Sequence, residues 1–165
     1  MNPAQGSQAA ANMNAMETTI RTVRDITLLI GRATLGVVFI AHGWSKHTNG
    51  TDSTAAGFES WGVPAPTVSA YFATYLELAG GAALILGLAT PVVALLLSFT
   101  MIGAIFTAHA DAGFALRDGG YEYVLTLAAF CIVIAAHGSG KFSLDALWLR
   151  RIGGRARSLT GSATT

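Results

Sequence analysis

At 165 residues the chain has room for one domain, and 52% hydrophobic content beside 12% charged residues excludes an ordinary water-soluble globule. A net charge of +1 gives no reason to expect nucleic acid as a partner. The single cysteine, Cys131, excludes an intrachain disulfide and dithiol redox chemistry within the chain.

In chain order, residues 1–24 come first, a stretch rich in Ala, Asn, Gln and Ser near its start and without the apolar core of a signal peptide. It reads as a disordered cytoplasmic tail. Ile26 to Trp44 is the first of four apolar segments, each close to the ~20 residues that cross a bilayer as a helix. The connection from Ser45 to Pro66 follows, with Phe58 and Trp61 spaced for a short helix in the membrane interface. Thr67 to Leu88 and Pro91 to Ala110 are the second and third spans, and Tyr121 to Gly138 is the fourth. A soluble bundle would keep a polar face on every helix, whereas Val92 to Phe106 and Val124 to Ala136 carry no charge at all. Beyond the fourth span, Ser143 is placed to cap a helix whose Leu144, Leu147 and Trp148 contrast with Arg150 and Arg151. The fold class is therefore all-α, a four-helix transmembrane bundle with short interfacial helices over residues 25–150, and residues 151–165 form a flexible cytoplasmic tail.

Basic residues set the orientation. Arg21, Arg24, Lys141, Arg150, Arg151, Arg155 and Arg157 fall on one side of the spans, against Lys46 and Arg117 on the other. Seven against two places both termini in the cytoplasm of a cell with a plasma (inner) membrane.

Two ionisable residues interrupt the apolar runs. A charge near the bilayer centre costs about 2.5–3.5 kcal/mol on insertion scales, so Arg32 and Glu77 each need a partner. On antiparallel helices they share a level, and Gly36, Gly80 and Gly81 allow close approach, which predicts an Arg32–Glu77 ion pair inside the bundle. A buried pair of this kind either fixes packing alone or orients a polar head group such as a quinone carbonyl. His42, Lys46, His109 and Glu122 collect at the outer ends of the spans, with Tyr121 and Tyr123 beside them, and predict a polar, proton-exchanging vestibule. His42, His109 and Glu122 have no local spacing of a metal motif, so no metal is assigned. Gly138-Ser139-Gly140-Lys141-Phe142-Ser143 is rejected as a phosphate loop, because Ala135 stands where the first glycine is required.

Taken together, Arg32, the run Phe39-Ile40-Ala41-His42-Gly43-Trp44-Ser45-Lys46, then Gly62-Val63-Pro64-Ala65-Pro66, Glu77-Leu78-Ala79-Gly80-Gly81 and the closing Gly138-Ser139-Gly140-Lys141-Phe142-Ser143-Leu144-Asp145 resemble the DoxX family. The resemblance covers about Ile26 to Asp145. It implies a four-span inner-membrane protein associated with quinol oxidase or thiosulfate-to-quinone electron transfer, and in some relatives an anchor for soluble redox enzymes. It also implies that Arg32, His42, Lys46, Glu77 and Glu122 occupy the family's recurrent polar positions. The chain has no haem ligand pair and no redox dithiol, so catalysis without a partner is not expected. The reading is an accessory or quinone-handling subunit of a membrane redox system, with quinone the one cofactor it admits. Its partners are the lipid bilayer, soluble redox enzymes and a second copy of the chain. The alternatives are a small oligomeric transporter or channel and a non-catalytic anchor.

Overall fold

The computed structural model describes residues 3–149 and 151. The tail expected over 151–165 lies, apart from Arg151, outside the described residues, as does Arg150 of the terminal amphipathic segment.

Helix α1 runs unbroken from Pro3 to Thr48, 46 residues or about 69 Å. The stretch read from its composition as disordered is therefore helical from Pro3 onward. Nucleation is the expensive step of helix formation, and a membrane span that is already helical needs only propagation to extend outward through Ala, Met and Gln. Lys46 and His47 close the helix at its negative end, and Gly50, at φ 93°, turns the chain. Helix α2 covers Thr51–Ser60, the short helix expected around Phe58. Pro66 starts α3, Pro66–Leu86, which ends on Gly87 in the left-handed region. There Gly87 N–H donates to Leu84 O at 3.2 Å and Leu88 N–H to Ala83 O at 2.9 Å, closing the helix in a Schellman turn.

Helix α4, Thr90–Ala104, passes into a π-helical turn at Ile105–His109 and a 3-10 turn at Ala110–Ala112. Helix α5 is Glu122–His137, and residues 144–149 form a short helix, α6. Ser143 caps α6 as expected, its Oγ accepting from Ala146 N–H at 3.1 Å. Three helices, with spans within Ala11–Thr48, Pro66–Leu86 and Thr90–Ala112, are long and apolar enough to cross a bilayer. The fourth, α5, is equally apolar but has only 16 residues, about 24 Å, and accompanies the others within the bundle.

Glycine sets the helix spacing. A Cβ on Gly36 would stand 2.5 Å from Gly81 O, one on Gly81 would stand 2.7 Å from Gly36 O, and one on Gly43 would stand 2.9 Å from Thr74 O. Thus α1 and α3 touch backbone to backbone, antiparallel, as small residues permit in lipid. The opposite flank of α3 meets α4 through Gly80, whose Cβ would contact Val93 and Leu97 at 3.3 Å. Ser98 Oγ of α4 donates to Ala128 O of α5 at 3.1 Å, and Gly31 returns α1 to Phe130 and Ile134 of α5. The four helices enclose a core of Leu35, Phe39, Leu84, Leu97, Cys131 and Ile134. Residues before α1's buried face, the α3–α4 turn and α6 mark one end of the bundle, here the terminal side. The other end, the loop side, holds α2 and the connection from α4 to α5.

Gly81→Ala is expected to destabilise the protein by about 1–3 kcal/mol, because backbone atoms of Gly36 and Ile40 cannot give way. Gly103→Ala, whose Cβ would meet nothing within 4 Å, should be neutral or slightly stabilising. Thermal unfolding in detergent compares the two.

Candidate functional site

A helical side chain leans toward its own N-terminus. On α1 that direction is the terminal side, whereas on antiparallel α3 it is the loop side. Arg32, which the Gly36–Gly81 contact sets against Gly87, therefore leans away from Glu77, and Lys46, less than two turns beyond the level of Glu77, leans toward it. The expected Arg32–Glu77 pair is not formed. Lys46 Nζ instead donates to both carboxylate oxygens of Glu77 at 2.5 Å. Glu77 is 2% exposed and Lys46 27%, so the pair is a nearly desolvated carboxylate with a cation bridging from the loop side.

This pair forms the floor of a cavity of about 660 Å³ in the loop-side half of the bundle. The walls are mainly apolar, with Phe39, Met101 and Leu127 deepest, and Phe58 and Trp61 of the α2 segment contribute from the loop side. The polar vestibule expected here is thus an apolar chamber carrying a few polar groups. Phe72 of α3 and Phe99 of α4 belong both to its lining and to the lipid-facing surface, at 51% and 72% exposure. Both lie on the loop side of the α3–α4 contact at Gly80, so the chamber lining reaches the lipid-facing surface at these two phenylalanines.

His42 Nε2 and the Tyr123 hydroxyl share a hydrogen bond of 3.2 Å, with the rings 5.8 Å apart. His109 closes the π-helical turn, a widened geometry frequent at functional sites. Its Nδ1 donates to Gly119 O at 2.7 Å, which leaves Nε2 as its other ring nitrogen while the residue lines the chamber. Glu122 does not join them. Its Oε1 accepts from Leu116 N–H at 2.7 Å and holds the loop from α4 to α5, away from the chamber lining. Among the described residues no three His, Cys, Asp or Glu side chains gather as a metal cluster. Cys131 is fully buried in the core.

On the terminal side, Arg32 is entirely buried and donates from Nη2 to Phe142 O at 2.7 Å. Its guanidinium occupies the space above Gly87, where a Cβ would overlap Nη1. Asp145 supplies the opposite charge nearby and also caps α4, accepting from Ala89 N–H at 2.9 Å and Thr90 N–H at 3.3 Å. These bonds hold Ala89 in its left-handed conformation at φ 45°. Asp25 accepts from Lys141 N–H at 3.4 Å, and the Lys141 ammonium lies 3.8 Å from its carboxylate. The segment 140–145 is therefore a plug on the base of the bundle. Sequence reasoning gave Asp25 and Asp145 no long-range role; a carboxylate five residues past the Gly-Ser-Gly turn and two past the capping Ser143 was the available signal for the latter.

The family model for DoxX matches residues 27–110, from the start of the first span to the end of the π-helical turn. The chain belongs to the DoxX family. A Bacillus subtilis relative with the name "Putative oxidoreductase CatD" is 36% identical over 121 residues, 73% of this chain and 86% of that one. Two Escherichia coli relatives, inner membrane protein YqjF (29% identical, 78% of this chain and 96% of that one) and inner membrane protein YphA (30%, 74% and 90%), are similar over the same extent. No solved structure matches the chain. The matched region of this DoxX protein contains Arg32, His42, Lys46, Glu77 and His109, together with Gly36, Gly80, Gly81 and Gly87 that position them. With inner-membrane relatives and apolar helices of spanning length, it is an integral protein of a bacterial inner membrane.

Removing Lys46 as Lys46→Met strands a buried carboxylate and is expected to destabilise by about 2–3 kcal/mol, below the fully buried case because Lys46 keeps some solvent contact. The double variant Lys46→Met/Glu77→Gln should recover most of this loss. A double-mutant cycle on unfolding in detergent measures it.

Proposed function

We propose that this DoxX protein is a quinone-handling, accessory subunit of a membrane redox system, with the loop-side chamber as the head-group site. The chamber's form carries the reading: about 660 Å³ of apolar wall, a side opening to lipid at Phe72 and Phe99, and a charged pair at the far end. Pockets for small lipophilic molecules have this size and this sparse polarity. A water-soluble substrate would have little to bind on such walls.

A quinone supplies two-electron, two-proton redox chemistry when bound. The residues present fit such a group. Lys46 has one ammonium proton beyond the two given to Glu77 and can donate it to a carbonyl oxygen, while Phe39, Phe99 and Met101 offer ring-stacking and thioether surfaces. His42, bonded to Tyr123, and His109, with Nε2 uncommitted, sit between the floor and the loop side and suit proton exchange with water. Electrons come from a partner enzyme, since the chain itself has no dithiol and no metal cluster among the described residues. The relative named as an oxidoreductase agrees with a redox setting. The excess of Arg and Lys on the terminal side supports a cytoplasmic position for that side, where soluble redox enzymes would dock. A transmembrane solute path is less well supported, because Arg32 and the 140–145 plug close the terminal half.

Protein in nanodiscs should quench its tryptophan fluorescence saturably on addition of a short-chain quinone, with Trp61 in the chamber wall as the reporter. Ala104→Phe, which fills the chamber, is expected to weaken binding at least tenfold while leaving helicity unchanged. Absence of saturable binding in the unaltered protein overturns the assignment.

A further inference from the structure

The longest helix presents a second, unpartnered surface. Its bundle face is defined by Asp25, Leu28, Arg32, Leu35 and Phe39, all buried. On the opposite face Met16, Val23, Ile30, Val37 and Trp44 recur at intervals of seven and are all 58–61% exposed. The companion positions three residues earlier in each heptad are Met13, Ile20, Thr27, Thr34 and Ala41, likewise exposed. No charged residue interrupts either series from Met13 to Trp44. A strict seven-residue period is the pattern that keeps a seam facing a partner helix along a left-handed supercoil.

Lipid can cover the part of this face within the membrane, as it covers Val92, Phe99 and Phe106 of α4, but not its extension beyond the span. The part of α1 buried against the bundle begins at Asp25, so residues 3–24 project about 33 Å further, beyond a span of ordinary length. That projection is a water-facing helix, with an exposed Glu17–Arg21 pair at 3.6 Å on its polar side and Met13, Met16, Ile20 and Val23 bare on the other. Within the bilayer the small residues Thr34 and Ala41 alternate with Val37 and Trp44, which lets a second helix come close. The hydroxyls of Thr18, Thr19 and Thr22 bond back to their own helix, whereas those of Thr27 and Thr34 find no partner among the described residues. An unsatisfied hydroxyl in hydrocarbon favours a facing donor or acceptor.

We infer that α1 pairs with α1 of a second copy as a parallel, in-register coiled coil running from Met13 through the membrane to Trp44. Two copies inserted in one membrane have the same orientation, so the same heptad residues meet about a two-fold axis along the membrane normal. Thr27 and Thr34 then face their counterparts. The flanking positions are compatible, since Asn12 meets Glu17 and Thr19 meets Arg24 across a parallel seam and no like charges oppose. The chamber, on the bundle side of α1, stays outside this contact.

Native Cys131 is fully buried, so single added cysteines report α1 alone. In membranes containing the full chain, Met16→Cys and Val23→Cys under mild oxidant should give at least tenfold more cross-linked product, at twice 17.1 kDa, than Ala15→Cys and Thr18→Cys on other faces of the helix. Equal cross-linking at all four positions, none at 16 and 23, or a product of another mass overturns the proposal. The exposed double variant Ile20→Lys/Val23→Lys should halve the protein mass measured by light scattering in mild detergent, with unfolding unchanged. Persistence of the dimer in that variant also overturns it.

Discussion

Antiparallel contact between α1 and α3 at Gly36 and Gly81 is the constraint from which the remainder of the molecule follows. It fixes both the spacing and the relative direction of the two helices that carry the buried charges. Once direction is fixed, the lean of each side chain toward its own N-terminus sorts those charges. Glu77 leans toward the loop side and meets Lys46 leaning down from above it, whereas Arg32 leans to the terminal side, away from Glu77.

Sorting the charges gives the bundle two unlike halves. On the terminal side, Arg32, Gly87, Asp145 and the 140–145 segment interlock, with Asp145 closing a helix end and Ser143 a turn, while Arg32 Nε and Nη1 stay buried without a hydrogen-bond partner. A glycine at 87 serves two needs, the left-handed φ of a helix stop and the space for a guanidinium. On the loop side α3 and α4 separate, and the π-helical turn at the end of α4 widens the same region. The chamber is the consequence of α3 and α4 meeting at Gly80 while α1 and α3 stay in contact as far as Gly43.

The apolar walls and the ionic floor of the chamber act together. Low polarity around Lys46 and Glu77 raises the strength of their attraction and equally raises the penalty for any unpaired state. A ligand that offers one polar atom to Lys46 and apolar surface elsewhere matches this environment, whereas a fully hydrated solute would leave the walls unsatisfied. Entry from lipid past Phe72 and Phe99 is consistent with that selectivity.

Much of this was legible in the chain itself. Apolar runs of about twenty residues located the helices, because in a bilayer every backbone group must be satisfied within the segment. Glycines at 36, 80 and 81 announced close packing, and Ser143 announced the start of α6. The extent of α1 was not legible, since helix propagation from an existing span depends on what precedes it being merely permissive. Residue types named the participants, Arg32, His42, Lys46, Glu77, His109 and Glu122, because charge in an apolar run is conspicuous. Which of them meet was decided by tertiary structure alone: equal depth was expected of Arg32 and Glu77, but the Gly36–Gly81 register sets Arg32 against Gly87, side-chain direction brings Lys46 onto Glu77, and a loop N–H draws Glu122 out of the chamber. Sequence counts position along an axis, while pairing also depends on direction across it.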